Sequence, residues 1–83
     1  NIFTKEFEDI VLNASKIAKE VSSEYVYDEH LFYSILEKRN NVACEILISL
    51  GFKINTLKKD IEDIFNFYNN EIFLYQPKKE TTK

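Results

Sequence analysis

Apolar residues recur three and four positions apart along the first quarter of the chain. Between Thr4 and Val21 they occupy positions 7, 10, 11, 14, 17, 18 and 21. This spacing places them on one side of an α-helix. Thr4 is a suitable N-cap, and the acidic residues that follow it favour the positive end of the helix dipole. The pattern therefore predicts a first helix that ends at Ser22-Ser23.

A second helix is predicted after the segment Tyr25-Val26-Tyr27. Three residues form no stable strand without a partner strand, so we interpret this segment as an extended entry into the helix. Asp28 is the predicted N-cap, and Glu29 is then the first helical residue. Leu31 and Ile35 are expected to face inward, and the helix should end at residues 39–41.

Two further helices follow in the same manner. Asn40 or Asn41 is expected to cap the third, whose inward stripe would be positions 43, 46, 47 and 50. Gly51 is the only glycine of the chain, and it stands where a helix end favours a left-handed residue. Asn55 is the predicted cap of the fourth helix, with positions 57, 61, 64, 65 and 68 inside.

These elements predict an all-α fold of four compact helices without a sheet. Short connections favour packing between helices that are neighbours in sequence. We place this domain at residues 1–68. Residues 69–83 contain an apolar stretch without a clear period, then Pro77 and several lysines, and are predicted to be a linker or tail.

Composition narrows the class of protein. The chain has 83 residues, of which 45% are hydrophobic, and a net charge of −3. That composition supports one small folded domain, and its mild acidity argues against a nucleic-acid partner. No apolar run approaches the roughly 20 residues of a membrane span.

A single cysteine excludes an internal disulfide and fits a reducing compartment, either the cytoplasm or an organelle interior such as a plastid stroma. The chain begins without methionine, so we expect a piece of a longer protein.

The residues around the only histidine, His30, could suggest catalysis or metal binding. Asp28, Glu29 and His30 occupy consecutive positions, however, and such side chains diverge by about 100° on a helix. A metal site needs three or four converging ligands. We therefore predict no catalytic residue and no metal site, and expect His30 to make a local hydrogen bond at the helix start. One glycine also rules out a glycine-rich phosphate loop in this chain.

Aromatic residues near the end of the chain are more informative. One helical face cannot bury all five of them, which are Phe65, Phe67, Tyr68, Phe73 and Tyr75. Two interpretations remain open: a tail that folds over the core, or an exposed apolar patch that docks a partner, a second copy or a client segment.

Several of these residues also resemble a known family. The chain is similar to a single Clp N-terminal repeat at three places and in the spacing between them. These places are Tyr25-Val26, Glu29-His30-Leu31 and the later Leu50-Gly51-Phe52. This module precedes the AAA+ rings of ClpA-, ClpB- and ClpC-type unfoldases. The resemblance implies a four-helix repeat that is half of a double Clp N-domain.

The resemblance also implies a function. It predicts a non-catalytic docking domain that recruits adaptor proteins and unfolded protein clients, with a ClpP-like protease reached through the parent ring. No cofactor is expected in this fragment, since ATP and Mg would bind in the AAA+ modules of the parent unfoldase. The alternative is a stand-alone single-repeat regulator that associates with a Clp chaperone-protease complex. A single repeat could also pair with itself.

Five residues are the predicted partner contacts. Two lie at the start of the second helix and three belong to the aromatic group near the end of the chain. They are Asp28, Glu29, Phe65, Phe67 and Phe73.

The first prediction concerns phosphoarginine, which ClpC-like N-domains can bind. By match to that family, Glu29 is the glutamate that would face the guanidinium. The usual threonine is replaced by Asp28, whose charge would repel the phosphate by about 1 kcal/mol or more even in a screened setting. We expect weak or absent binding in a calorimetric titration with phosphoarginine, and a micromolar affinity would contradict this expectation.

Overall fold

Four α-helices make up the fold in the computed structural model, which describes residues 3–68. They are α1 (Lys5–Glu20), α2 (Asp28–Lys38), α3 (Val42–Ser49) and α4 (Ile54–Tyr68). No strand occurs within residues 3–68, and the predicted all-α fold is confirmed. The predicted tail at 69–83 lies outside the described residues.

The start and the buried face of α1 follow the sequence pattern. The Thr4 hydroxyl accepts a hydrogen bond from the Phe7 backbone N–H at 3.1 Å, as predicted for an N-cap. Ile10, Ala14 and Ile17 are buried. Phe7 and Val11 lie at the edge of this face, where each is 38% exposed. The buried face of α1 is therefore narrower than the spacing of its apolar residues predicted.

Helix α1 ends in a tight backbone turn at Ser22. The Ser23 N–H donates to the Ala18 carbonyl at 2.8 Å, and the Ser22 N–H donates to the Lys19 carbonyl at 3.1 Å. These two bonds form a Schellman motif, whose central residue adopts a left-handed conformation. Ser22 has φ 63°. A serine therefore occupies a position that usually favours glycine.

The predicted cap of α2 was wrong by one residue. Asp28 is the first helical residue, and Tyr27, with extended φ −106° and ψ 176°, is the N-cap. The side chain that completes this end is the His30 imidazole, whose Nδ1 accepts from the Tyr27 N–H at 2.9 Å. Because this acceptor reaches back from the first turn, the helix end needs no hydrogen bond to the Asp28 carboxylate.

The inward face of α2 also differs from the predicted one. Leu31 and Ile35 are only half-buried, whereas Tyr33, Ser34 and Leu36 are completely inaccessible to solvent. Helix α2 contacts all three of the other helices, so its buried surface is wider than a single stripe. A polar residue such as Ser34 can be buried here because it has hydrogen-bond partners.

Helix α3 has the predicted ends but not the predicted inward stripe. The Asn41 Oδ1 accepts from the Cys44 N–H at 2.9 Å, which confirms Asn41 as the cap. Gly51 has φ 97°, and the next N–H, of Phe52, returns to Leu47 at 3.0 Å. Cys44 is the fully buried residue, while Ile46 is 53% exposed. The side of α3 that faces the core is therefore not the one that we predicted, because α2 and α4 contact the helix on the Cys44 side.

Helix α4 begins at Ile54, so the prediction that Asn55 caps it was also wrong. Asn55 lies within the first turn, where its Oδ1 accepts from Arg39 Nη2 at 2.7 Å. Ile61 and Phe65 are buried as predicted. Ile64 is 43% exposed and does not face the core.

One core cluster joins the helices. Two polar contacts reinforce it: Ser34 Oγ donates to the Ile10 carbonyl at 2.7 Å, and the Tyr33 hydroxyl donates to Glu62 Oε2 at 2.5 Å. The first connects α2 to α1, and the second connects α2 to α4. The buried residues of the cluster are Ile17, Val21, Tyr33, Leu36, Cys44, Ile54, Ile61 and Phe65.

The positive φ of Ser22 generates a stability prediction. Replacing Ser22 by glycine removes a Cβ from a left-handed position, and we expect the free energy of unfolding to rise by about 1 kcal/mol. Ser15→Gly, inside α1, is the matched control and should lower it by a similar amount, about 1 kcal/mol. Urea denaturation followed by circular dichroism measures both. A Ser22→Gly variant that is less stable than the wild type would contradict the prediction.

Candidate functional site

A cleft of about 500 Å³ opens where three helix ends meet. The end of α1 and the turn after it form one side, the start of α2 forms another, and the end of α4 forms the third. This volume lies within the range of typical small-ligand pockets. The cleft is lined by Val21, Ser22, Ser23, Tyr27, Glu29, His30, Phe65 and Tyr68.

The cap of α2 places Glu29 and His30 in the cleft wall. His30 is 2% exposed, and its ring stacks on Phe65 with the centroids 5.4 Å apart. The hydrogen bond from the Tyr27 N–H fixes the ring at its other edge. Phe65 also meets Tyr33 edge-on at 5.6 Å. The wall of the cleft is thus continuous with the core.

Burial determines the charge of His30. Removal from water lowers the pKa of His30, and the neighbouring Glu29 carboxylate opposes that effect without reversing it. The Nδ1 atom must also be unprotonated to accept from the Tyr27 N–H. The imidazole is therefore neutral near pH 7, and among residues 3–68 Glu29 is the one charged residue that lines the cleft. A ligand with apolar surface and a positive group suits this lining.

Aromatic side chains continue the cleft onto the surface. On the α2 side, the Tyr25 and Tyr27 rings are 6.2 Å apart, and on the α4 side the Phe67 and Tyr68 rings are 5.8 Å apart. Their exposed fractions are 64%, 53%, 74% and 68% in that order. We call these four residues the aromatic rim. Tyr27 and Tyr68 line the cleft, and Tyr25 and Phe67 each pack against one of these two rings.

The five predicted contact residues are distributed unequally around this site. Glu29 and Phe65 line the cleft, and Phe67 belongs to the rim. Asp28 is exposed in the first turn of α2 but does not line the cleft. Phe65 was predicted both to face the core and to contact a partner; it is 2% exposed, and His30 and Tyr33 of α2 pack on it. Phe73 lies outside the described residues.

Some residues of the site were missed in the sequence. Tyr27 and the Ser22–Ser23 turn were interpreted only as connections, yet they form one side of the cleft. A histidine three residues after an extended tyrosine was the available signal, because that spacing is the one at which an N3 side chain returns to the N-cap.

Two apolar surfaces outside the cleft were also not expected. A groove of about 310 Å³ on the outer side of α1 is lined by Phe3, Phe7, Glu8, Val11 and Leu12. The outer side of α3 exposes Val42, Ile46 and Leu50. Within residues 3–68, no group of three or more metal-ligating side chains comes together. No helix in that range is long and apolar enough to span a membrane.

The lowered pKa of His30 predicts a pH dependence of stability. The unfolded chain binds a proton near the ordinary histidine value of 6.5, and the folded chain binds it only at a lower pH. Stability is therefore fully present above that value and declines as the pH falls through it towards the folded pKa. Urea unfolding at pH 7.5 and pH 5.5, about one unit on either side of 6.5, should give a lower free energy of unfolding at pH 5.5.

The control for this prediction is His30→Gln, which keeps a side-chain acceptor but does not titrate. This variant should lose most of the stability difference between the two pH values. Since His30 is the only histidine, an NMR titration of its ring protons is unambiguous. A midpoint above 6.5 would contradict the prediction.

Comparison with known proteins agrees with this architecture. The family described as "Clp repeat (R) N-terminal domain" matches residues 2–73. The chaperone protein ClpB of Gloeobacter violaceus is 27% identical over 66 residues, which are 80% of this chain and 8% of that protein. The chain thus spans a small part of this relative. No solved structure matches significantly. With a family match over most of its length and the four-helix fold to accompany it, this chain belongs to the Clp N-terminal repeat family.

Proposed function

We propose that this domain docks adaptor proteins and unfolded clients for a Clp AAA+ unfoldase. The observation that carries the proposal is the aromatic rim around the cleft. Four aromatic side chains that are more than half exposed either line the cleft or pack against a ring that does. Tyrosine and phenylalanine offer large contact areas at a low cost in conformational entropy, and they are enriched where proteins meet.

The chemistry of the cleft supports docking of an extended segment. Val21 and Phe65 give its lining apolar surface, and Ser22 adds a polar side chain at the turn. Glu29 adds one negative charge. An unfolded client exposes apolar side chains, and these find apolar partners in such a lining. A basic residue beside the apolar one would gain further from Glu29.

The domain itself performs no reaction in this proposal. Clp N-terminal repeats are non-catalytic parts of Clp ATPases, and the related ClpB is named as a chaperone. ATP and Mg would bind in AAA+ modules elsewhere in the parent chain. Clients held at the cleft would then be transferred to the ring and, in complexes that include one, to a ClpP-like protease.

The test measures binding of the 83-residue chain to casein, a protein without a stable fold, by fluorescence anisotropy of labelled casein. Phe67→Ser removes a rim ring that is 74% exposed. Loss of an aromatic side chain that contributes to an interface costs about 1–2 kcal/mol, so we expect binding to weaken about tenfold.

Leu12→Ser is the matched control, because Leu12 is 69% exposed but lies in the α1 groove. It should leave casein binding unchanged. Absence of saturable binding by the wild type would refute docking of unfolded clients. A loss with Leu12→Ser as large as that with Phe67→Ser would refute the assignment to the rim.

A further inference from the structure

The chain carries, a few residues beyond the cleft, a segment whose chemistry matches the cleft lining. Positions 72–75 read Ile-Phe-Leu-Tyr, and Lys78 and Lys79 follow them. We call residues 72–75 the apolar tail segment. Among the described residues, the cleft combines apolar surface with one carboxylate, that of Glu29. Apolar side chains with a positive group nearby suit such a lining. Residues 69–83 lie outside the described part of the chain, so their side of the match is read from the sequence.

The chain leaves α4 at the cleft itself. Tyr68 lines the cleft and is the last residue of α4. Phe73 follows five residues later, and an extended chain advances at most about 3.5 Å per residue. Phe73 is therefore within about 17 Å of Tyr68. The intervening Asn69 and Asn70 are of the type that tolerates the backbone of a tight turn. A return over the cleft needs only a part of the available length.

The groove on α1 is a less accessible site for the same segment. Its two phenylalanines are Phe3 and Phe7. Phe7 lies 14 positions before Val21, which lines the cleft. At 1.5 Å per residue, that separation is about 21 Å along the helix. This distance exceeds the reach of Phe73, so the apolar surface nearest to the tail is that of the cleft.

We propose that the apolar tail segment folds back into the cleft of its own chain and competes there with clients. Its side chains would contact the apolar lining at Val21 and Phe65, and Lys78 and Lys79 would lie near Glu29. A cleft of about 500 Å³ takes a few side chains and no folded partner. The competition rests on the proposed docking function, whereas the fold-back itself does not.

The covalent connection makes the tail an effective competitor even with few contacts. A short flexible connection gives an effective concentration of about 1 mM. A segment that by itself binds as weakly as a dissociation constant of about 0.1 mM then occupies the cleft about 90% of the time. Clients would bind about tenfold more weakly than to a free cleft. The tail thus sets a threshold that weakly binding chains do not pass.

NMR spectroscopy of the 83-residue chain tests the fold-back directly. We expect a nuclear Overhauser effect between the Phe73 ring protons and the Val21 methyl groups. Phe73→Ser should shift the Val21 methyl signals and leave those of Val11, in the α1 groove, unchanged. The effect should keep its strength on dilution, because both groups belong to one molecule.

Anisotropy of labelled casein tests the competition. Phe73→Ser removes a ring of the apolar tail segment and should bind casein about tenfold more tightly than the wild type. Gln76→Ser is the matched control, since it changes a polar residue of the same tail, and it should bind casein like the wild type. Circular dichroism of both variants should match that of the wild type.

Three NMR outcomes would overturn the proposal: no contact between Phe73 and Val21, a contact with Val11 in its place, or a contact that disappears on dilution and so belongs to a second copy. A Phe73→Ser variant that binds casein with unchanged affinity would refute the competition. Weaker binding by that variant would also refute it and would assign Phe73 to the client contact.

Failure of the proposed docking function gives a different result. In that case neither the wild type nor Phe73→Ser binds casein, while the contact between Phe73 and Val21 is still observed. The NMR measurement contains no client, so it decides the fold-back whatever the casein experiment shows.

Discussion

The burial of α2 between the other helices is the constraint on which the rest of the structure depends. Tyr33, Ser34 and Leu36 are wholly inaccessible to solvent, and they face different neighbours. Ser34 bonds to the α1 backbone and Tyr33 bonds to Glu62 on α4. Apolar contact supplies most of the stabilisation, and it is not directional. The two hydrogen bonds add direction, because each one fixes the rotation of α2 against a particular helix.

The cleft follows from the way α2 begins. An imidazole that accepts from the Tyr27 N–H must turn back towards the N-cap, and this turn brings it onto Phe65 of α4. The same residue therefore completes a helix end, stacks on the core and lines the site. Burial lowers its pKa, so the imidazole is neutral both as the acceptor at the helix end and as part of the cleft wall. Local structure and candidate function are coupled through His30.

Two kinds of surface remain on this small domain, and their chemistry differs. The aromatic rim is amphipathic and lies beside a carboxylate, which suits segments of varied sequence. The outer side of α3, at Val42, Ile46 and Leu50, is aliphatic. A chain of 83 residues buries a limited share of its apolar side chains. Uncovered apolar surface is therefore expected, and its distribution over α1, α3 and α4 reflects which sides α2 covers.

The sequence by itself determined the number of helices, their approximate bounds and most of their ends. The Thr4 and Asn41 caps and the turn at Gly51 depend on residues within a few positions of each other, so local patterns were sufficient. Glu29 and Phe67 could be singled out as candidate contacts from the resemblance and from helical spacing. These inferences require only backbone geometry and short-range hydrogen bonds.

The tertiary structure alone decided which side of each helix is buried where more than one side is apolar. In α3 nearly every position is apolar, so periodicity could not distinguish Cys44 from Ile46. His30, and not Asp28, completes the start of α2, because its imidazole also packs on Phe65. Phe65 lies 35 residues away in sequence. The cleft was equally beyond the sequence, since it exists only where the ends of α1, α2 and α4 converge. Convergence of distant segments depends on the packing of whole helices, and no local pattern encodes it.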